Sequence, residues 1–397
     1  MAASIKERLF FLVNSCDFVA KMAVEKIHIE EFLELAKHLP VFDVRSPGEF
    51  YHAHIPGAYS LPLFSDEERK VIGTTYKQKS REAAMKIGLD YFGPKMRKMV
   101  EEAESICNSR LQFADSAESE IANLKSKTIL VHCWRGGMRS GAVSWLLDMY
   151  GFKVYSLIGG YKKFRNYVLG TFSLPFQFNI LGGYTGSGKT ELLNALREKG
   201  ETIVDLEGIA HHKGSAFGSI GMPKQPTQEM FENVLAQKLQ EAGRQISETG
   251  NTQSELRIPA SDIWLEDESQ RIGLVNIPGD MWKNMRRSTL YFIDIPFEER
   301  LKHITEEYGK LEKQPLLDAI GRIKEKLGGQ NAKAATQLLE EGNTLESFRI
   351  LLKYYDKFYF KALHNREGLN SLLRTVACES VNPENAKSLI LEKQKST

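Results

Sequence analysis

His132-Cys133-Trp134-Arg135-Gly136-Gly137-Met138-Arg139-Ser140 gathers one nucleophile, two glycines and two arginines into a single short segment. Glycines let a backbone curl until successive N–H groups point inward. Those N–H groups, the positive end of a following helix and Arg139 would all favour thiolate over thiol at Cys133. Residues Trp134, Arg135, Gly136, Gly137, Met138, Arg139 and Ser140 therefore read as an anion cradle around a nucleophile. The bland alternative is a buried, inert cysteine, which the Gly-Gly pair and the arginines argue against. The spacing is His-Cys-x5-Arg. That leaves room for a tetrahedral oxyanion of phosphate size. The pattern also fits a phosphatase, but the loop holds no acid to protonate a leaving group.

A second loop, Gly183-Tyr184-Thr185-Gly186-Ser187-Gly188-Lys189-Thr190, satisfies G-x-x-x-x-G-K-[ST] in full. It follows the apolar run Phe176 to Leu181 and opens the helical stretch Glu191 to Lys199. Gly183, Gly186, Ser187, Gly188, Lys189 and Thr190 are the expected diphosphate binders. Backbone N–H groups wrap the oxygens, Lys189 bridges them, and Thr190 meets a Mg²⁺. Glu266 and Glu268, at the end of an apolar strand, are candidate metal-supporting acids. An ordinary solvated strand end is the alternative for them. His211-His212 has no third ligand spaced nearby, so no dedicated metal site is expected.

The elements that position these loops follow from apolar patterning. Residues 1 to 24 read as an extension before the first folded element. Ile27 to Leu39 reads as an amphipathic helix. Strands are expected at Val41 to Val44, Tyr59 to Leu63, Thr128 to His132 and Lys153 to Leu157. Helices are expected after Arg45, over Ser140 to Tyr150, and from Gly159-Gly160 onward. Residues 65 to 125 form a polar, mostly helical insertion. This alternation implies a parallel α/β sheet over 25–170. Gly170 to Pro175 reads as the junction. A second α/β domain over 177–397 has strands expected at Thr202 to Asp205, Ile263 to Leu265, Ile272 to Ile277 and Leu290 to Ile295. From about Glu298 the chain reads as helical to its end.

With 397 residues, two or three domains are expected. Leu9 to Val13 is too short for a secretory signal, and no apolar run reaches the length of a membrane span. Cys16, Cys107, Cys133 and Cys378 lie far apart, which argues for a reducing cytoplasm and against a disulfide scaffold. A net charge of +2 gives no global pull toward nucleic acid, so an RNA partner would be held by local patches.

The resemblances are specific. Asp43-Val44-Arg45-Ser46-Pro47-Gly48-Glu49-Phe50, then His54-Ile55-Pro56-Gly57-Ala58, then the Cys133 loop, resemble the rhodanese family. That resemblance implies a persulfide or perselenide carried on Cys133, with Asp43 and Arg45 structural. The order of the two loops resembles the bacterial tRNA 2-selenouridine synthase family, a rhodanese-like parallel-sheet domain followed by a P-loop NTPase-like α/β domain with a helical C-terminal region. Other stretches support it: Leu61 to Arg69, Gly73 to Gln78, Asp205-Leu206-Glu207-Gly208, Gly214 to Gly218, Glu266 to Gly273 and Tyr354-Tyr355-Asp356. Lys213 and Ala53 depart from the family pattern, away from the chemistry.

The resemblance implies conversion of wobble 2-thiouridine in tRNA to 2-selenouridine. Sulfur is first alkylated from geranyl diphosphate and then replaced by selenium from selenophosphate. The phosphate loop would then hold a prenyl diphosphate rather than ATP. Candidate tRNA contacts are Tyr76, Lys77, Lys162, Lys163 and Arg165, with Arg286-Arg287 and Trp134 also considered. Rival readings are a sulfurtransferase or Cys-dependent phosphatase fused to a P-loop kinase, and a non-enzymatic RNA adaptor. The intact Cys133 and Lys189-Thr190 argue against an adaptor, which needs neither.

Overall fold

The structure is a computed structural model that describes residues 24–112, 127–244 and 262–396. It divides into two compact units between Tyr167 and Val168. The extension over residues 1–23, with Leu9 to Val13 and Cys16, lies outside the described residues. So do residues 113–126 of the helical insertion.

Short apolar runs build the first sheet. Its strands are β1 (Glu25–Ile27), β2 (Val41–Asp43), β3 (Tyr59–Ser60), β4 (Thr128–His132) and β5 (Lys153–Leu157). All pairings are parallel, in the order β1-β5-β4-β2-β3. β2 is buried throughout and β4 nearly so, as befits a parallel sheet covered on both faces. β4 is the middle strand, so Cys133 leaves the sheet at its carboxyl edge, where open parallel sheets place their sites.

Phe42, Val44, Ile129, Val131, Val143 and Leu147 form the core of this unit, joined by Phe92, Met99 and Ala103 of the insertion. Each such side chain contributes about 1.5–3 kcal/mol on burial. The insertion is thus part of the fold. Its helices Asp66–Gln78 and Arg81–Phe92 start at Ser65 and Ser80, whose hydroxyls accept the N–H groups of Glu68 and Ala83. The first helix of the unit starts at Ile29, not Ile27, because Ile27 pairs with Leu157 as an edge strand.

The second unit contains β6 (Phe178–Gly183), β7 (Ile263–Glu266), β8 (Arg271–Ile272), β9 (Val275–Asn276), β10 (Thr289–Asp294) and β11 (Leu373–Ala377). Four of these form a parallel sheet, β11-β10-β6-β7, and β8 pairs with β9 antiparallel. β6 is buried throughout and runs straight into the phosphate loop and the helix Lys189–Glu198.

Three expectations fail here. Thr202 to Asp205 contributes only a bridge at Ile203, because Asp205 instead caps the helix Leu206–Ala210 by accepting from Gly208 N at 2.6 Å. Ile272 to Ile277 is a hairpin broken at Gly273, whose φ of +61° suits a turn. The chain after Glu298 is not helical to the end: β11 pairs with β10 in a register from Leu290 opposite Leu373 to Asp294 opposite Ala377.

Candidate active site: two anion-binding loops

Cys133 is 3% exposed and sits one residue past β4. Its Sγ lies 3.2 Å from Ser140 Oγ, which in turn lies 3.1 Å from the Gly137 carbonyl. The single Ser140 proton can serve either acceptor, and an ionised sulfur is the stronger one. Burial pushes the thiol up, but Ser140 and the backbone of Ser140, Arg135 and Gly137 outweigh it. The net effect holds Cys133 below the ordinary thiol value. Backbone N–H groups and one hydroxyl surround the sulfur.

Its curvature depends on glycine at two places. Gly136 has φ +65°, and a Cβ there would stand 2.6 Å from Leu157 O. Gly160 has φ +58°, and a Cβ there would overlap the Cys133 carbonyl and the Gly136 N–H. The segment after β5 therefore braces the loop at van der Waals distance. Tyr161 N donates to Cys133 O at 2.8 Å, and Lys162 N donates to Trp134 O at 3.0 Å.

Arg139 is engaged by a carboxylate. Its Nη1 donates to Glu49 Oε2 at 2.7 Å, and Arg69 Nε lies 2.8 Å from the same oxygen. Glu49 also closes the capping box at Ser46. Burial would raise Glu49, yet Arg139 and Arg69 bring it below the ordinary carboxylate range. Glu49 is the acid nearest the loop arginine, and it is ionised at neutral pH. It has no proton for a leaving group, which weakens the phosphatase alternative. Arg135 is exposed and makes no ion pair among the described residues. Met138 is also exposed.

Behind the loop, Arg45 Nε donates to both Asp43 oxygens at 2.9 Å, and its Nη2 donates to Ala53 O at 2.7 Å. The guanidinium lies 3.7 Å over the Tyr161 ring. The structural role expected for Asp43 and Arg45 has its physical basis here, a fully buried pair under the residue that holds Cys133 O.

In the second unit, Gly186 and Gly188 take left-handed φ values of +80° and +69°. Lys189 Nζ donates to Gly183 O at 3.3 Å, folded back across the loop. Ser187 Oγ is buried without a partner. Thr190 Oγ1 donates to Glu207 Oε2 at 3.3 Å.

Glu266 and Glu268 play different parts. Glu266 is fully buried and accepts from Leu206 N at 3.1 Å through one oxygen; the other has no partner. Burial, then Asp205 and Glu207, raise it well above the ordinary carboxylate range. Glu268 is raised by burial and by Glu207, and Lys189 opposes the shift. Glu207 joins these acids at the loop, a position quoted in the sequence pattern without a role. Among the described residues no three His, Cys, Asp or Glu side chains are placed to cage a metal alone. Mg²⁺ beside a diphosphate takes most of its ligands from water and phosphate. Thr190 and Glu207, hydrogen-bonded to each other at 3.3 Å beside the loop, are the residue types that would hold such an ion.

Three loop supports were not legible as such in the sequence. Arg300, 3% exposed, donates to Thr185 O at 3.0 Å and pairs with Asp356 at 2.9 and 2.8 Å. Tyr359 donates to Asp267 at 2.8 Å and accepts from Gly183 N at 3.3 Å. These contacts explain Tyr354-Tyr355-Asp356: Asp356 anchors the arginine that holds the loop crest.

Of the tRNA candidates, Tyr76 is 54% exposed, and Lys77, Lys162 and Lys163 are exposed. Arg165 is half-buried with a partner. Trp134 packs on Tyr161 at 5.7 Å between centroids, and Arg286 lies over Trp282 at 5.7 Å. His211 Nδ1 contacts Lys224 O at 3.0 Å and His212 is buried.

Two family profiles match the chain. One, described as the tRNA 2-selenouridine synthase AAA domain, covers residues 176–375. The other, a rhodanese-like domain, covers residues 28–167. The tRNA 2-selenouridine synthase of Hydrogenovibrio crunogenus is 34% identical over 354 residues, 81% of this chain and 89% of that one. The proteins of the same name from Nitrosomonas europaea and Aeromonas salmonicida are 32% and 31% identical. They cover 82% and 83% of this chain, and 90% and 88% of their own lengths. The chain is an α/β protein with a rhodanese-like unit followed by a P-loop unit, and it belongs to the tRNA 2-selenouridine synthase family.

Proposed function

We propose that this protein converts wobble 2-thiouridine of tRNA to 2-selenouridine, in two steps that use one loop each. The observation that carries the reading is the cradled, acidified Cys133 in a chain that also keeps a complete phosphate loop. In the first step the thiouridine sulfur attacks C1 of geranyl diphosphate. The C–O bond breaks and diphosphate leaves, held by the loop N–H groups and Lys189. Mg²⁺ bound beside Thr190 would offset charge on that diphosphate.

In the second step selenium from selenophosphate replaces the S-geranyl group, which departs as a thiol. The Cys133 loop receives selenophosphate, a tetrahedral oxyanion that its N–H donors and Ser140 suit. Its selenium attacks C2 of the base as geranylthiol leaves, the Cys133 thiolate then attacks phosphorus and breaks the P–Se bond, and water hydrolyses the phosphocysteine to free phosphate. The work belongs in the reducing cytoplasm, where a free thiol persists.

The test supplies full-length protein with 2-thiouridine tRNA, geranyl diphosphate and selenophosphate, and reads nucleosides by mass. Wild type should yield geranylated and selenated nucleosides. Cys133→Ser should abolish selenation and leave geranylation, and Lys189→Ala should suppress geranylation first. The reverse pattern would exchange the assignments of the loops, and no modified nucleoside from folded protein would end the reading.

A further inference from the structure

The helix Thr344–His364 has two faces with different content. Its inner face buries Phe348, Leu351 and Leu352 and sends Asp356 and Tyr359 to the phosphate loop. Its outer face repeats a cation every fourth residue: Lys353, Lys357 and Lys361 are all exposed. Residues four apart on a helix are neighbours, so the three ammonium groups form one stripe. None of the three lies within ion-pair distance of a carboxylate among the described residues.

Aromatic rings flank the stripe. Phe358 is 50% exposed and Phe360 52%. Tyr354 sits 4.8 Å from the Phe358 ring, and His364 sits 3.9 Å from the Phe360 ring. The nearby acids are occupied. Glu298 and Glu346 both pair with Arg349, and Asp356 is turned inward to Arg300.

A single exposed phenylalanine needs no explanation. Two exposed rings interleaved with three exposed lysines that make no ion pair among the described residues match a particular ligand. Bases out of their stack lie on aromatic faces, and the phosphates between them take the ammonium groups. We propose that this face docks a single-stranded RNA segment of the kind that presents an unpaired base, such as an anticodon loop. This rests on the tRNA reading above and assigns it a surface. Because the same helix holds the phosphate loop from its other side, RNA bound here lies one helix diameter, about 10 Å, from the diphosphate.

The test measures anisotropy of a labelled anticodon stem-loop transcript with the full chain across a salt series. Lys353→Gln with Lys357→Gln and Lys361→Gln should weaken binding at least tenfold and flatten the slope of log K against log salt by about 2, from roughly 0.7 per single-strand contact. Phe358→Ala with Phe360→Ala should weaken binding about tenfold or more without changing that slope. Lys→Arg at the three positions should retain binding, and Lys324→Gln with Lys326→Gln and Lys333→Gln, an equal charge loss elsewhere, should change little. Circular dichroism and melting confirm folding.

Tight binding with an unchanged slope in the Gln variant would overturn this face while leaving the tRNA reading intact. No binding by wild type at low salt would overturn that reading itself. Binding to vesicles of equal parts phosphatidylcholine and phosphatidylglycerol, lost in the variants while RNA binding persists, would show a membrane surface and overturn the proposal.

Discussion

Burial alone would make Cys133 a poor nucleophile, so the donors around it decide its chemistry. Ser140 is the only side chain among them, and a hydrogen bond to a charged acceptor is worth about 1.5–3 kcal/mol. At 1.36 kcal/mol per pKa unit, Ser140→Ala should move the thiol up by about one to two units. Alkylation of Cys133 by iodoacetamide, followed by peptide mass across pH, should show the midpoint displaced to higher pH. An unmoved midpoint would assign the whole effect to the backbone N–H groups.

Asp43 poses the opposite problem. Burial would raise it, but His132 and Arg45 bring it below the usual carboxylate value. Arg45 is the partner that counts, because burial lowers His132 and keeps that ring neutral. A depressed carboxylate stabilises the fold above its unfolded value near 4 and loses that contribution as pH falls through the lower folded value. Stability should therefore decline below about pH 4. Asp43→Asn should remove this acid limb and cost about 3–5 kcal/mol in urea unfolding, since it leaves Arg45 charged and unpaired.

Between elements, the phosphate loop is braced by two helices far along the chain as well as by its own. Phe297–Tyr308 supplies Arg300 and Thr344–His364 supplies Asp356 and Tyr359. Asp356→Asn leaves a 3%-exposed guanidinium without its carboxylate. The expected loss is about 3–5 kcal/mol, with weaker binding of inorganic diphosphate by calorimetry. Unchanged diphosphate affinity would mean that the loop keeps its shape without Arg300.

This support was beyond the reach of sequence periodicity, because Arg300 and Asp356 are 56 residues apart and each looks like ordinary helix-surface charge. The strands β4 and β5 were legible to the residue, since each is a short apolar run that begins after a polar residue or a glycine turn and ends just before a Gly-Gly loop. β11 was not, because Val376 is its only buried side chain and the flanking segments are helical. Glu49 escaped notice for a different reason: its partner Arg139 lies 90 residues on, and only the β2–β4 pairing brings the two turns together.

On the scale of the whole chain, a net charge of +2 means that RNA affinity must come from local faces such as Lys353 to Lys361. Stability is local too. Among the described residues, one core draws on Phe42 to Val154, and two more draw on residues from Leu181 onward, with no member in common. Separate cores predict separate cooperative transitions. A ligand that binds only the folded P-loop unit stabilises it by RT ln(1 + [L]/Kd), about 2.7 kcal/mol at a hundredfold excess over Kd. Inorganic diphosphate with Mg²⁺ should therefore raise one melting transition and leave the other in place. Hydrogen exchange should assign the protected amides to β6 and the helix Lys189–Glu198, with those of β4 and β5 unchanged. Asp43→Asn should lower the transition that diphosphate does not move. If diphosphate raised both transitions together, or Asp43→Asn lowered both, the two units would unfold as one block, and a lesion at either loop would be felt at the other.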